Sequence, residues 1–191
     1  MPNLFEMFKY SKMLELGDGR IGLMGVPINI VPTSILRDHQ KMLIESLGFK
    51  KAYEKIYDSA ESGSLEYNGN FIKKHGFADK RKIIDWQKKI VTFAGWGKIE
   101  IAEIDFDKKE HIAHFKNSPF PEIYGKSKYP VDILVAGFIG GAFKADLKKD
   151  MKCLETKCTA LGDPYCEFLV SSPEIIEKKK AELWKKLKID K

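Results

Sequence analysis

The run VDILVAGFIGGAFKADLKK, residues 131–149, limits what this chain can fold into more than any other stretch. It reads as an apolar helix in which Ala136, Gly137, Gly140, Gly141 and Ala142 leave one side almost without side-chain bulk. Glycine weakens a helix that stands alone, so this one needs a partner that approaches its backbone. The small residues either leave space for a ligand or let the helix touch a sheet or a second subunit, and close packing is the expectation.

Hairpins flank it on both sides. GKIEIAEIDF alternates Ile99, Ile101, Ile104 and Phe106 with charged residues, DKKE makes a polar turn, and HIAHF returns, which predicts a hairpin over residues 97–117. NSPFPEIYGKSKYP then reads as a loop. MKCLETKCTAL and YCEFLVSS form a last hairpin around Gly162-Asp163-Pro164, and Ser172 with Pro173 opens a lysine-rich terminal helix. Nearer the start, Gly17-Asp18-Gly19 suits the turn of another hairpin over residues 13–24. Thr33 or Ser34 can cap a helix that stops at Gly48, and a second helix from Phe49 is expected to break in SGSLEYNGN, residues 62–70. Asp79 precedes a third, ending near Gly95. Hairpins separated by helices predict an α+β fold, an antiparallel sheet with helices packed on it, rather than βαβ units.

The 191 residues carry a net charge of +6, much of it in the last fourteen. Arginine, the residue that clamps phosphates and reads guanine, occurs only at Arg20, Arg37 and Arg81, so direct nucleic-acid binding is not expected. No window approaches the roughly 20 apolar residues of a membrane span, and MPNLFEMFKYSK lacks a signal-peptide core, which together point to a cytoplasmic protein. In such a reducing compartment the three cysteines read as metal ligands or core fillers before they read as a disulfide.

In ETKCTALGDPYCEF, residues 155–168, a turn near Gly162 sets Cys158 opposite Cys166 on one face. Glu155 is the nearest carboxylate, and sulfur with carboxylate oxygen is an accepted zinc donor set. Glu155 and Cys158 are three positions apart, however, and a regular strand turns them to opposite faces; a joint site requires a bulge between them. Cys153 shares the parity of Glu155 and either competes for the site or fills core. Asp132, at the start of the apolar run, reads from position alone as a helix cap.

PVDILVAGFIGG followed by CLETKCTALGDPYCEFLV resembles the C-terminal signature of the 4-vinyl reductase, or hydrocarbon-binding, domain family, and GWGKIEIAEIDF with HFKNSPFPEIYG resembles its preceding hairpin. The resemblance covers about residues 80–171. It implies the ligand-binding fold of the NO-signalling and Golgi-transport type, shared with the sensor domains of phenol- and toluene-responsive activators and with trafficking-complex subunits that dimerise. In those sensors zinc is held by the Glu and both Cys of this motif and by a Cys opening the glycine-containing helix. The implied ligands here are Glu155, Cys158 and Cys166, with Asp132 replacing the fourth cysteine. A domain spanning 1–191 follows, with an N-terminal hairpin and helices over 1–78, the family core over 79–171 and the terminal helix over 172–191.

The resemblance further implies an apolar pocket beside the metal, with Trp96 and Phe115 as ligand-binding residues; each is otherwise an ordinary core aromatic. His111 and His114 lie an odd number of positions apart on one strand and are expected to act as separate surface histidines. No nicotinamide or flavin motif accompanies the name reductase, and the sequence leans away from an enzyme. The expectation is a homodimeric domain that binds or senses a hydrophobic or aromatic small molecule. The alternatives are a reductase or carrier acting on a tetrapyrrole vinyl group, and a protein-binding adaptor with a closed pocket. KKKAELWKKLKIDK is a helix packed on its own domain or, through Leu183, Trp184 and Leu187, a docking helix.

Overall fold

A computed structural model describes residues 14–23, 26–76, 79–104 and 110–189. Strands β1 (Leu14–Gly17), β2 (Arg20–Leu23) and β3 (Val26–Ile28) form a small antiparallel sheet. The β1–β2 turn is made by Asp18 and Gly19 at φ +50° and +73°, the left-handed pair that a two-residue hairpin needs. The sequence reading missed β3, which carries Pro27. Helix α1 (Thr33–Leu47) begins at Thr33 itself, with Pro32 before it and no side-chain cap, so neither Thr33 nor Ser34 caps it. Gly48, at φ +75°, separates α1 from α2 (Phe49–His75).

Helix α2 runs unbroken through residues 62–70, against expectation. The reason is α5 (Ile133–Leu147), the glycine helix, which lies along it. A Cβ on Gly137 would sit 2.5 Å from the Tyr57 carbonyl oxygen, and one on Gly141 would collide with that of Glu61. The expected bulk-free side therefore faces a helix, and packing at that distance holds the polar stretch of α2 helical despite its weak propensity. Ser64 adds a hydrogen bond across the pair, its hydroxyl donating to the Phe138 carbonyl at 2.6 Å.

Helix α3 (Lys80–Phe93) is capped by Asp79, whose carboxylate accepts from the Arg81 N–H at 3.0 Å. Strands β4 (Lys98–Ile104), β5 (His111–Lys116), β6 (Lys152–Lys157) and β7 (Cys166–Ser171) form one sheet in the order β4-β5-β7-β6, two hairpins joined antiparallel through β5 and β7. Most of the expected turn at 107–110 lies outside the described residues. The loop after β5 contains a short helix, α4 (Pro119–Tyr124), which its prolines had concealed.

One face of the sheet is fully buried: His111, Ala113, Phe115, Cys153, Glu155, Cys166, Phe168 and Val170. His111 is thus a core residue, 5.2 Å from the Phe143 ring, and not a surface histidine. His114 faces the other way, half-buried beside Glu167. Helix α6 (Pro173–Lys186) buries Ile176, Lys180 and Trp184, with Trp184 packed edge-on against Tyr53 and Phe49 of α2. The terminal helix therefore packs on its own domain. No helix among the described residues is long and apolar enough to cross a membrane.

Candidate metal centre and adjoining cavity

Strand β6 pairs Glu155 with Phe168 and Lys157 with Glu167, so Thr156 is an extra residue with no partner in the register. This bulge sits where the joint site required one. It returns Cys158 to the face of Glu155 before the chain enters a 3-10 turn (Thr159–Leu161) closed by Gly162 at φ +99°. Asp163 fixes the turn, its carboxylate accepting from the Cys158 N–H at 2.8 Å. Cys166 then opens β7. The carboxylate oxygen of Glu155 and the two sulfurs lie within 4.8 Å of one another, and all three residues are buried. A cluster of this composition could hold a metal ion.

Asp132 adjoins it, fully buried at the N-cap position of α5, yet its side chain makes no capping bond. Its Oδ1 accepts from Ser118 Oγ at 2.7 Å, its N–H donates to Glu155 Oε2 at 2.9 Å, and its carboxyl lies against Cys166. Each carboxylate thereby has one oxygen held and one, Asp132 Oδ2 and Glu155 Oε1, buried without a partner. Burial, then mutual repulsion, pushes the Glu155 carboxyl well up; burial and the neighbouring Cys166 do the same to Asp132. The Cys158 thiol is likewise driven up by its hydrogen bond to Cys166, which is itself lowered to about 6 by that bond. The Thr159 N–H also donates to the Cys166 sulfur at 3.5 Å. Four acids with no neutralising charge, two of them with orphaned oxygens, match the donor set of a tetrahedral divalent cation. Cys153 is buried on the same face but stands apart from the cluster.

Phe115 is the cross-strand partner of Cys166 and meets Phe168 edge to face at 4.9 Å. Its ring also lines an apolar cavity of about 40 Å³ between α3, α5 and the sheet. Trp96 does not line that cavity; it stacks at 6.3 Å on Phe138, which does. A separate open groove of about 1150 Å³ runs between the α4 loop and the 3-10 turn, with Phe115 and Cys166 also reaching it.

Sequence reasoning missed the supports of this region. Ser118 and Asp163 sit in Asn-Ser-Pro and Gly-Asp-Pro, where they read as turn residues. Gln87 falls four positions after Ile83 and four before Val91, on the apolar stripe of α3. A polar residue in that register was the available signal for the buried network it joins.

Comparison with known proteins gives the following. The sensory domain of the transcription activator PoxR, solved with phenol, superposes with a TM-score of 0.78 at 18% identity, covering 96% of each chain. A trafficking protein particle complex subunit 3 from Naegleria fowleri, solved covalently bound to palmitic acid, gives 0.57 at 15% identity over 73% of this chain and 93% of that one. A vinyl-4-reductase family protein from Methanocaldococcus jannaschii gives 0.52 at 17% identity over 75% and 83%. These likenesses establish the fold. An uncharacterized protein of Methanocaldococcus jannaschii is 49% identical over 35 residues, only 18% of this chain and 20% of that protein. Residues 112–172, which run from β5 through α5 to the end of the cysteine hairpin, match the family model of the 4-vinyl reductase domain, and this segment of the chain is identified as such.

Proposed function

We propose that this chain is a small-molecule binding or sensing domain that takes a hydrophobic or aromatic ligand beside a structural zinc site held by Asp132, Glu155, Cys158 and Cys166. The observation that carries this reading is the pair of orphaned oxygens, Asp132 Oδ2 and Glu155 Oε1, buried next to two thiols directly behind the Phe115 wall of the apolar cavity. When bound, zinc supplies the positive charge that four buried acids lack and ties the start of α5 to the β6–β7 hairpin; four protein donors close it against water. Ser118 and Asp163 hold the donors in place. Phe115, with Trp96 behind Phe138, shapes the ligand side. The domain works as a homodimer in the cytoplasm, and the exposed Ile30, Val31, Ile35 and Met42 offer an apolar contact face.

The fold-level likeness to a phenol-responsive domain makes phenol the first ligand to try. Elemental analysis of tag-free protein, wild type beside Cys166→Ser, tests the metal: about one zinc per chain, lost in the variant, is expected. Metal-free wild type with titratable thiols would remove zinc from the proposal. Calorimetry with phenol tests the pocket. A chain that binds no apolar probe would fit the rival reading, an adaptor whose pocket is closed by side chains, for which the small cavity speaks.

A further inference from the structure

Resting on the ligand-binding reading above, we infer that Gln87 is the residue that reads a polar function on the ligand, and that the ligand class is an uncharged apolar molecule bearing a hydroxyl. The cavity has only two lining residues with polar side chains, Gln87 and Lys88. Lys88 sends its ammonium outward toward Asp85, 3.9 Å away on the surface. Gln87 is therefore the one polar head on an otherwise apolar wall.

Its orientation is fixed by a chain of hydrogen bonds through three helices. Ser64 Oγ donates to the Phe138 carbonyl at 2.6 Å, and Asn68 Nδ2 donates to Ser64 O at 2.8 Å and Ser64 Oγ at 3.0 Å. Asn68 Oδ1 must then be the acceptor for its other neighbour, Gln87 Nε2, at 2.9 Å. The same Nε2 donates to Asp146 Oδ1 at 3.0 Å. Both amide hydrogens of Gln87 are spent, and flipping the amide would set its oxygen against two acceptors. What Gln87 has left to offer is Oε1, an acceptor. Asp146, 5% exposed, has its second oxygen buried without a partner, so the network has acceptors to spare and no spare amide donor.

A ligand that enters must bring a hydrogen to satisfy Gln87. A carboxylate or phosphate brings none and meets the buried Asp146 behind the amide, with no cation at hand. A bare hydrocarbon fills the wall but leaves Oε1 unpaired. A hydroxyl supplies the hydrogen and remains neutral. Asn68, Ser64 and Asp146 act as positioning residues, since each works through Gln87. The cavity of about 40 Å³ is well short of the ~150 Å³ that admits benzene in an engineered protein core. Ring-sized ligands therefore enter by displacing α3, the helix that carries Gln87.

The test uses a matched pair, phenol and toluene, nearly alike in shape and different at one group. Calorimetry on the wild-type chain is expected to show phenol bound about tenfold more tightly than toluene. In Gln87→Met the two should come within about twofold, through weaker phenol binding alone. Side-chain amide NMR on unmutated protein gives a second readout: phenol shifts the Gln87 resonances and toluene leaves them in place. Equal binding of both probes by the wild type, preference surviving in Gln87→Met, or equal loss of both probes would each overturn the assignment of Gln87. If neither probe binds the wild type, the ligand-binding reading itself falls, and this inference with it.

Discussion

Asp146 is held by Gln87 and otherwise surrounded by packed side chains, and burial lifts its carboxyl from the ordinary range to about 7. A carboxyl whose folded value exceeds its unfolded one binds its proton more tightly in the native state. The native state is therefore favoured at low pH, and that advantage is lost as pH rises from about 4 to about 7. Asp146→Asn keeps an acceptor for Gln87 and removes the ionisation. Urea denaturation should find the variant more stable than wild type by about 2–4 kcal/mol at pH 8, with less than half of that gap at pH 5. A gap that does not change with pH would mean that Asp146 does not titrate in this range. At the metal set, Ser118→Ala leaves Asp132 Oδ1 without its donor. Zinc affinity, measured by competition with a chromogenic chelator, should fall by about tenfold or more while the fold survives.

At the scale of the element, the tightest glycine-mediated contact among the described residues is between α2 and α5. Gly141→Ala places a methyl against the Glu61 carbonyl and the Ser64 Cβ, and backbone cannot move aside cheaply. The expected cost is about 1–3 kcal/mol in chemical denaturation. Gly63, in α2, has nothing within 4 Å of an added Cβ, so Gly63→Ala should instead stabilise by about 0.5–1 kcal/mol through helix propensity. Opposite signs for the same substitution in one helix pair would separate packing from propensity. Residues 131–149 announced this contact because lack of bulk is a local property of the sequence. That the partner is α2, and that it keeps residues 62–70 helical, was not legible, since propensity carries no information about what lies opposite. The bulge at Thr156 was legible for the same kind of reason: Glu155 and Cys158 could share a face only if the pleat was interrupted. Helix α4 was hidden because Pro119 and Pro121 read as loop, although proline fits the first turn of a helix.

At the scale of the whole molecule, the metal set and the cavity hang on the same two supports. Asp132 stands at the start of α5, and that helix goes on to supply Phe138, Ile139, Ala142 and Phe143 to the cavity. Cys166 pairs across β5–β7 with Phe115, which lines the cavity from the sheet side. Tying the hairpin to the head of α5 therefore also fixes the distance between the two cavity walls, so loss of zinc should loosen both. Removing the metal with a chelator is expected to lower the melting temperature and weaken phenol binding together. Linkage then makes a stricter demand: whatever factor zinc adds to phenol affinity, phenol must add to zinc affinity. A coupling of about 5- to 150-fold is the usual range for sites joined in this way. Chelator competition run with and without saturating phenol measures that factor from the metal side, and calorimetry of the apo and zinc-loaded chain measures it from the ligand side. Agreement between the two would make the zinc site a structural brace for the pocket. Metal and ligand affinities that ignore each other would show that α5 and the Phe115–Cys166 pair transmit nothing, and that the two sites are neighbours without being coupled.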